Sequence, residues 1–272
     1  MSKFVQDYYN NHAKQEWERF DDALCKIEFA STLHLIEKYF PERGSVCDIG
    51  GGPGRYTIEL AKRGYQVTLF DISEEEVKLA RTQLEQLKLR AQQIIIGDAR
   101  NLGKLISGKF DAALLMGPMY HVINEEERRQ ILYQLKNILN PHGVAIIAYL
   151  NSWGIMRTGI VDLPNRYKDI TKLRAMLNDQ IFEGGALSGF TECYWSTPEA
   201  AQREIRSAGL EVISYAGAES FAGGMHPLLE KLSIENPEAY ANVLQVAAET
   251  CELSQYRDST DHLHFVVQIP AV

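Results

Sequence analysis

Cysteine and long apolar runs are scarce in this sequence. Its 272 residues include four cysteines, which form no C-x-x-C pair, so a paired-cysteine metal or redox site is not expected. No segment approaches the roughly 18 apolar residues of a membrane-spanning helix. The amino terminus is polar where a signal peptide would need an apolar run. We therefore expect a reduced, cytoplasmic protein that does not bind membranes.

The sequence also lacks an excess of basic residues. Its net charge is −8 and its isoelectric point is near 5.5, whereas binding to a nucleic-acid backbone needs a basic surface. We therefore expect no nucleic-acid partner. The hydrophobic content of 45% and the charged content of 24% are those of an ordinary globular protein. One large α/β domain, or such a domain with a cap, fits this length.

The stretch 46–54, Val-Cys-Asp-Ile-Gly-Gly-Gly-Pro-Gly, is the most informative part of the chain. It predicts a short buried strand, a glycine loop and then a helix with apolar residues at helical spacing. Glycine tolerates positive φ and has no Cβ, so a ligand can lie against the loop backbone. The N–H groups at the start of the helix, together with the positive end of its dipole, would then face that ligand.

A dinucleotide-binding loop would have the pattern G-x-G-x-x-G. Counting from Gly50, the third glycine is replaced by Arg55, and counting from Gly52 it is replaced by Thr57. A nicotinamide-dependent oxidoreductase therefore stays open but is disfavoured. A tight glycine turn without a ligand is the simpler alternative.

The pattern that is present, Asp48-x-Gly50-x-Gly52-x-Gly54, resembles motif I of the class I S-adenosylmethionine (SAM) dependent methyltransferases. In that family the loop lies against the amino-acid end of SAM, and the product is S-adenosylhomocysteine. The resemblance therefore implies SAM as the cofactor. It assigns these loop residues to the cofactor site: Asp48, Gly50, Gly51, Gly52 and Gly54.

Acidic residues follow the next two predicted strands. Asp71 ends the strand 66–70 and lies 17 positions beyond Gly54, close to the spacing of about 20 at which an acidic residue can accept hydrogen bonds from ribose hydroxyls. Ser73 and Glu76 form the pattern of a capping box for the following helix. The resemblance further implies that adenine contacts the residues after these strands and that Met116 flanks the sulfonium. The implied adenine contacts are Ile72, Asp98 and Ala99.

The loop after the fourth predicted strand reads Gly-Pro-Met-Tyr-His over residues 117–121. It looks like the Gly-Pro-x-Tyr-His form of a small-molecule methyltransferase subgroup. It departs from the Asn/Asp-Pro-Pro-Tyr/Phe form, which counts against DNA adenine and glutamine as targets. We predict His121 as a general base, since its ordinary pKa is near neutrality, with Tyr120 beside the acceptor. A packed structural histidine is the alternative.

Two segments are candidate lids. The first is helical from about residue 4 to residue 39 and contributes Tyr9; its residues Tyr9, Trp17-Glu18-Arg19 and Glu28-Phe29 resemble the leader of a bacterial small-molecule methyltransferase subgroup. The second is an aromatic-rich insertion at 151–196, which contributes Trp153. The alternatives are a helix start with surface aromatics and a small cap with its own packing.

Alternating strands and helices follow the glycine loop to the end of the chain. The resemblance implies a Rossmann-like α/β fold with a seven-stranded mixed sheet, strand order 3-2-1-4-5-7-6 and helices on both faces. We predict an N-terminal helical lid at 1–43 and a methyltransferase domain at 44–272. His262 and His264 share one face of the last strand. We expect this pair to be exposed at the solvent or the sheet edge, and we expect no metal site.

The function predicted from the sequence is transfer of the SAM methyl group to a small-molecule acceptor by in-line displacement. A SAM-binding sensor or partner subunit without catalysis stays open as the alternative. We expect a monomer or homodimer. Motif I bears on the cofactor far more than on the acceptor, because the methyl group of SAM is already activated and the protein mainly positions the nucleophile.

Overall fold

The computed structural model describes residues 3–182 and 191–270. Its centre is one mixed β-sheet whose strands alternate with helices along most of the chain. The strands are β1 Ser45–Ile49, β2 Gln66–Asp71, β3 Gln93–Ile96, β4 Phe110–Leu115, β5 Leu139–Asn151, β6 Gln180–Phe182, β7 Cys193–Ser196, β8 Glu211–Gly217 and β9 His262–Gln268.

The sheet has the strand order that the sequence predicted. Strands β3, β2, β1, β4 and β5 lie side by side in parallel. Strand β9 then pairs antiparallel with β5 from Val144 to Leu150, and β8 pairs antiparallel with β9. With β8 as the sixth strand and β9 as the seventh, this arrangement confirms the Rossmann-like fold and the order 3-2-1-4-5-7-6.

Two short strands extend the sheet beyond this prediction. Strand β7 runs parallel to the end of β5, where Leu150 pairs with Trp195, and β6 pairs antiparallel with β7. The rings of Phe182 and Trp195 stack with their centroids 4.8 Å apart. The predicted insertion at 151–196 therefore joins the sheet at the carboxyl end of β5. Residues 183–190 of that insertion lie outside the described residues.

Helices cover both faces of the sheet. They are α1 Lys3–Arg19, α2 Ala23–Tyr39, α3 Arg55–Lys62, α4 Glu74–Gln86, α5 Leu102–Leu105, α6 Pro118–His121, α7 Glu125–Ile138, α8 Ser152–Asp162, α9 Ile170–Ala175, α10 Pro198–Ser207, α11 His226–Glu235, α12 Pro237–Thr250 and α13 Ser254–Arg257. No helix in the described part of the chain combines the length and the apolar character that crossing a membrane requires.

The N-terminal helical segment is two helices, where the sequence suggested one continuous helical stretch. Helix α1 ends at Arg19, and Asp22 caps α2 by accepting hydrogen bonds from the N–H groups of Leu24 and Cys25 at 2.8 and 3.1 Å. An aspartate at this position satisfies backbone donors that the first turn would otherwise leave unpaired. The break lets α1 turn away from α2 and pack against α4.

The core lies on the two faces of the sheet, because successive strand residues point to opposite sides. Helices α7 and α10 pack on one face, over residues such as Cys47, Ile147 and Phe265. Helices α2 and α3 pack on the other face, over Val46 and Val266. Coverage on both sides explains why the central strands are almost continuously apolar.

The expected exposure of His262 and His264 is wrong. His264 is fully buried, and its Nδ1 lies 3.2 Å from the hydroxyl of Thr32 on α2. The His262 side chain is only 22% exposed and pairs with Glu219. The reason is that α2 covers this part of β9, a long-range contact that strand periodicity does not reveal.

Candidate functional site

A cleft lies at the carboxyl ends of the parallel strands, and the glycine loop forms one of its walls. Gly50, Gly52 and Gly54 have φ angles of 75°, 52° and 87°, in the region that only glycine adopts readily. The N–H groups of Gly50 and Gly51 donate to the Phe70 carbonyl at 2.8 and 3.3 Å. These bonds hold the loop against β2 as the chain turns into α3.

Close contacts also require the loop to lack side chains. A Cβ on Gly50 would lie 2.3 Å from the Met116 carbonyl oxygen and 2.6 Å from Pro118 Cδ. A Cβ on Gly52 would lie 3.3 Å from Glu76 Oε2 and would therefore stand between the loop and that carboxylate. The backbone of the loop is thus open to a ligand on its cleft side.

Two predicted cofactor residues support the loop from outside the cleft. Asp48 is fully buried and accepts a 2.6 Å hydrogen bond from Thr57 Oγ1; burial raises the pKa of its carboxyl to about 6. Gly54 begins α3, and a Cβ there would lie 3.0 Å from the Cβ of Ala80. Neither residue lines the cleft, so both act on a ligand only through the loop they hold.

Asp71 joins the end of β2 to the glycine loop. Its Oδ2 accepts a hydrogen bond from Gly52 N at 2.9 Å, and its Oδ1 accepts one from Ser73 N at 2.8 Å. Burial raises the pKa of this carboxyl. Asp71 and Ile72 both line the cleft, as the sequence predicted, and each carboxylate oxygen retains lone pairs for a further donor.

Glu76 is a cleft residue that the sequence interpretation missed. Ser73 Oγ accepts a hydrogen bond from Glu76 N at 3.2 Å, as in the predicted capping box. The Glu76 side chain, however, faces Gly52 in the cleft. Burial and the nearby Asp71 raise the pKa of this carboxyl well above its usual value. The S-x-x-E pattern predicted the helix cap. It did not show that the Glu76 side chain lines the cleft.

The predicted adenine contacts separate in the structure. Ala99 lines the cleft together with Gly97 and Phe70. The Asp98 side chain instead caps the short 3₁₀ helix 99–101 and forms an ion pair with Arg100 at 2.8 Å. Partial burial raises the pKa of Asp98, but hydrogen bonds from the Arg100 guanidinium and the Arg100 backbone N–H outweigh it and lower the pKa overall. Met116 lies in the cleft at the end of β4, as predicted.

A pair of aromatic residues, Tyr9 and the buried His121, forms the opposite wall. Tyr9 on α1 and His121 on α6 approach to 2.6 Å between the tyrosine hydroxyl and Nε2. His121 Nδ1 lies 3.1 Å from Thr191 Oγ1. Burial lowers the pKa of His121 to about 3 and raises the pKa of Tyr9 well above its ordinary value. The imidazole is therefore neutral near pH 7, with one ring nitrogen facing the Tyr9 hydroxyl.

Charged residues on α1 and α2 complete this wall, and the sequence analysis gave them no role. Arg19 Nε lies 3.2 Å from Glu16, and Arg19 Nη1 lies 3.5 Å from the buried carboxylate of Glu28. Arg19 and Glu28 belong to the stretch that resembled a methyltransferase leader, which was the available signal. Trp153 is not among the cleft residues, and its Nε1 donates to the Leu177 carbonyl at 3.0 Å.

The cleft thus has two halves, which enclose about 860 Å³ together with space open to solvent. We name them for the roles that we propose for them below. The cofactor half is lined by Gly50, Gly51, Gly52, Asp71, Ile72, Glu76 and Ala99. The acceptor half is lined by Tyr9, Glu16, Arg19, Glu28, Tyr120 and His121. Met116 and Gly117, which follow β4, also line the cleft.

Residues 46–143 match the family described as a methyltransferase domain. That stretch contains the glycine loop, Asp71, Met116 and His121. Residues 46–143 thus carry a methyltransferase domain, and the fold around it is that of SAM-dependent methyltransferases. The 1,6-didemethyltoxoflavin-N1-methyltransferase of Burkholderia thailandensis, solved with that compound and S-adenosylhomocysteine, has a similar fold. Its TM-score is 0.62 at 14% identity, and the match covers 98% of this chain and 88% of that one.

A SAM-dependent methyltransferase from Clostridium acetobutylicum also has this domain's fold, with a TM-score of 0.60 at 14% identity over 97% of this chain and 99% of that one. Among curated relatives, the glycine/sarcosine N-methyltransferase of Halorhodospira halochloris is 32% identical over 51% of this chain and 51% of its own length. In that match the chain spans about half of the relative.

The tRNA 5-carboxymethoxyuridine methyltransferase of Escherichia coli strain K12 is 28% identical over 87% of this chain and 84% of its own length. The methyltransferase domain is therefore shared by relatives whose names give different acceptors.

Proposed function

We propose that this chain transfers the methyl group of SAM to a small-molecule acceptor, giving S-adenosylhomocysteine and the methylated acceptor. The observation that carries the proposal is the part-buried Tyr9–His121 pair, which lies in the same cleft as the glycine loop. Group transfer needs the donor and the acceptor to be bound next to each other. The cleft offers a cofactor half with a glycine loop and an acceptor half with polar side chains.

The residues of the cofactor half fit SAM. The bare loop at Gly50 and Gly52 leaves room for the amino-acid end of the ligand against the backbone. Asp71 and Glu76 place two buried carboxylates where ribose hydroxyls can donate to them. Phe70 and Ala99 offer apolar surface suited to adenine.

When bound, SAM supplies a methyl group already activated on a sulfonium sulfur. The protein then has to hold the acceptor atom in line with that methyl group and exclude water. His121 is buried, Tyr9 and Tyr120 are partly buried, and all three line the acceptor half. A neutral His121 can take a proton from an acceptor that arrives protonated, either directly or through the Tyr9 hydroxyl.

The acceptor half favours a small ligand that carries a positive charge or hydrogen-bond donors. It holds Glu16 and Glu28 with the guanidinium of Arg19. Arg55 also lines the cleft but pairs with Asp21 and the Trp17 carbonyl. The whole chain has a net charge of −8. Its aromatic walls supply apolar surface and cation–π faces. The acceptors in the names of two similar proteins, glycine or sarcosine and 1,6-didemethyltoxoflavin, are small molecules and support this size class.

A tRNA nucleoside is the second candidate acceptor, because the tRNA methyltransferase of E. coli matches most of this chain. The acidic charge balance is the observation against it, since RNA binding releases counterions from a basic surface. The non-catalytic alternative is a sensor that binds SAM without turning it over. We also propose a cytoplasmic monomer or homodimer.

The test is transfer of labelled methyl from SAM in parallel reactions with small amines, amino acids, phenols, heteroaromatic compounds and bulk tRNA. Saturable label transfer to one small-molecule class, lost in His121→Gln and kept in the surface control His226→Gln, supports the proposal. Label transfer only to tRNA replaces it with the second candidate. Tight S-adenosylhomocysteine binding without transfer to any acceptor would favour the sensor.

A further inference from the structure

A second polar cluster shares Glu28 with the acceptor half and otherwise consists of residues that do not line the cleft. It joins Glu28 on α2, Glu219 in the turn after β8, and His262 at the start of β9. One ligand atom from each of these three residues lies within 4.8 Å of the other two. Glu28 and Glu219 are 6% and 2% exposed, so two carboxylates stand in a largely dry interior.

A fourth residue, His264, lies beside this cluster. His264 is fully buried, and its Nε2 has no hydrogen-bond partner in the part of the chain that the structure describes. That nitrogen lies 3.8 Å from Glu28 Oε1, too far for a hydrogen bond. An unpaired buried nitrogen beside a buried carboxylate is unfavourable unless a positive group lies between them.

The hydrogen bonds of Thr32 show which nitrogen of His264 carries the proton. The Thr32 hydroxyl donates to the Glu28 carbonyl at 2.9 Å and accepts from the Tyr56 hydroxyl at 3.1 Å. Its single proton is thus used, so the 3.2 Å contact with His264 requires Nδ1 to be the donor. The lone pair of Nε2 then faces Glu28. Metal-binding histidines are oriented in this way, with the second ring nitrogen donating to an oxygen.

We propose that Glu28, Glu219 and His262 bind a divalent transition-metal ion beside the unpaired Nε2 of His264. Two carboxylates and an imidazole, with a second imidazole next to them, suit zinc and its neighbours in the first transition row more than magnesium or calcium, which prefer all-oxygen sites. The ligands come from α2, the turn after β8 and β9, so an ion would tie three distant segments together. It would also fix Glu28, whose side chain lines the acceptor half.

The competing arrangement is an ion-pair network without metal. His262 Nδ1 lies 2.6 Å from Glu219 Oε1, and Arg19 lies 3.5 Å from Glu28 Oε2. A proton shared by Glu219 and His262 would occupy the place of the ion at that contact. Metal binding must open this contact and release the proton. The inference does not rest on the proposed methyl transfer.

Zinc binding to the full chain tests the inference. Protein treated with a chelator and dialysed is titrated with ZnCl₂ by calorimetry, with MgCl₂ as the hard-cation comparison. The variants are Glu219→Gln and His262→Gln, and their folding is checked by circular dichroism. His226→Gln is the matched control, because His226 also lies 2.6 Å from a carboxylate, that of Asp22, but on the surface.

We expect one zinc ion per wild-type chain, at least ~10-fold weaker binding in both cluster variants, and unchanged binding in the control. Absence of stoichiometric zinc binding, or equal binding by all four proteins, would overturn the site. If the cluster variants do not fold, wild-type crystals grown with zinc give the answer by anomalous scattering. A peak among Glu28, Glu219 and His262 supports the site, and an ion only elsewhere or no peak overturns it.

Discussion

The two halves of the cleft are built in different ways. The cofactor half is made mostly of backbone, with Gly50 and Gly52 placed by local turns at the ends of adjacent parallel strands. The acceptor half is made of side chains from α1, α2 and α6, which meet only after the chain has folded. Tyr9 and His121 are 112 positions apart in sequence and 2.6 Å apart in space.

This difference explains why the cofactor half can be predicted from the sequence and the acceptor half cannot. A glycine loop after a strand is a local pattern with a physical requirement at each position. The acceptor half depends on where two N-terminal helices dock, which is a tertiary property. Substitutions can therefore separate the halves: those in the first should affect S-adenosylhomocysteine binding, and those in the second should affect turnover.

The largest effect is expected from Gly50→Ala. Its Cβ would lie 2.3 Å from the Met116 carbonyl at a φ of 75°, so the loop must shift by a substantial fraction of an ångström. We expect affinity for S-adenosylhomocysteine to fall by at least ~100-fold, measured by titration calorimetry. Gly64→Ala is the control, because Gly64 has a φ of 87° but no atom within 4 Å of an added Cβ. It should lose about 1–2 kcal/mol of stability and keep its affinity. Equal affinities in both variants would contradict this role of the loop.

The next effect is expected from His121→Gln in the acceptor half. With an acceptor that arrives protonated, we expect kcat to fall by ~10²-fold or more, because the neutral imidazole can no longer take the proton. Affinity for S-adenosylhomocysteine should not change. Tyr9→Phe removes only the hydroxyl partner and should give a smaller loss of kcat. Wild-type kcat in His121→Gln would show that this histidine is a packing residue.

Glu76→Gln should have opposite effects on binding and stability. Removing the carboxylate should weaken S-adenosylhomocysteine binding by ~10-fold, the loss expected for a charge-assisted hydrogen bond. Burial raises the pKa of Glu76 above the ordinary value of 4.5, so the folded state loses stability as pH rises from 4.5 towards the raised pKa, and the neutral amide should raise Tm at pH 8. Glu75→Gln is the matched control, since Glu75 is exposed and pairs with Lys78 on the surface. Unchanged ligand affinity in Glu76→Gln would remove Glu76 from the cofactor half.

The smallest effect is the pH dependence of stability. The pKa of His121 is about 3 in the folded chain, below the ordinary 6.5. Between these values the unfolded chain binds the proton and the folded chain does not, so stability falls as pH falls below 6.5. His121→Gln should reduce this loss between pH 7 and pH 5 in thermal melts. Part of the loss should remain, because the pKa of His264 is also lowered, to about 4. A loss identical to wild type would contradict the buried, neutral state of His121.

Sequence patterns predicted the main strands and helices of the fold, with most strand boundaries within two residues of those observed. Strand β3 spans Gln93–Ile96 as predicted, and the order of the seven main strands follows from alternating strands, helices and the motif I resemblance. Strands β6 and β7 were missed because each has only three or four residues, too few to show a period. The helical N-terminal segment was predicted, but its division into α1 and α2 was not, because the cap at Asp22 was not recognised.

The site was predicted where it is local. The glycine loop, Asp71 and Met116 line or support the cleft as their positions indicated. Glu76 was missed because the capping box already explained its position. Glu28 was missed because its role depends on α2 packing over β9 on the face of the sheet. The exposure of His264 was mispredicted for the same reason. A period-two pattern shows which face of a strand a residue shares, but it does not show what covers that face.

Thermal melts of the wild-type chain with S-adenosylhomocysteine, SAM and NAD test the central claim most directly. A ligand that binds only the folded state stabilises it by about 2.7 kcal/mol at 100 times its dissociation constant. We predict a raised Tm with the two sulfur nucleotides, no change with NAD, and loss of the shift in Gly50→Ala but not in Gly64→Ala. A shift with NAD alone, or equal shifts in both glycine variants, would contradict the assignment of the cofactor half.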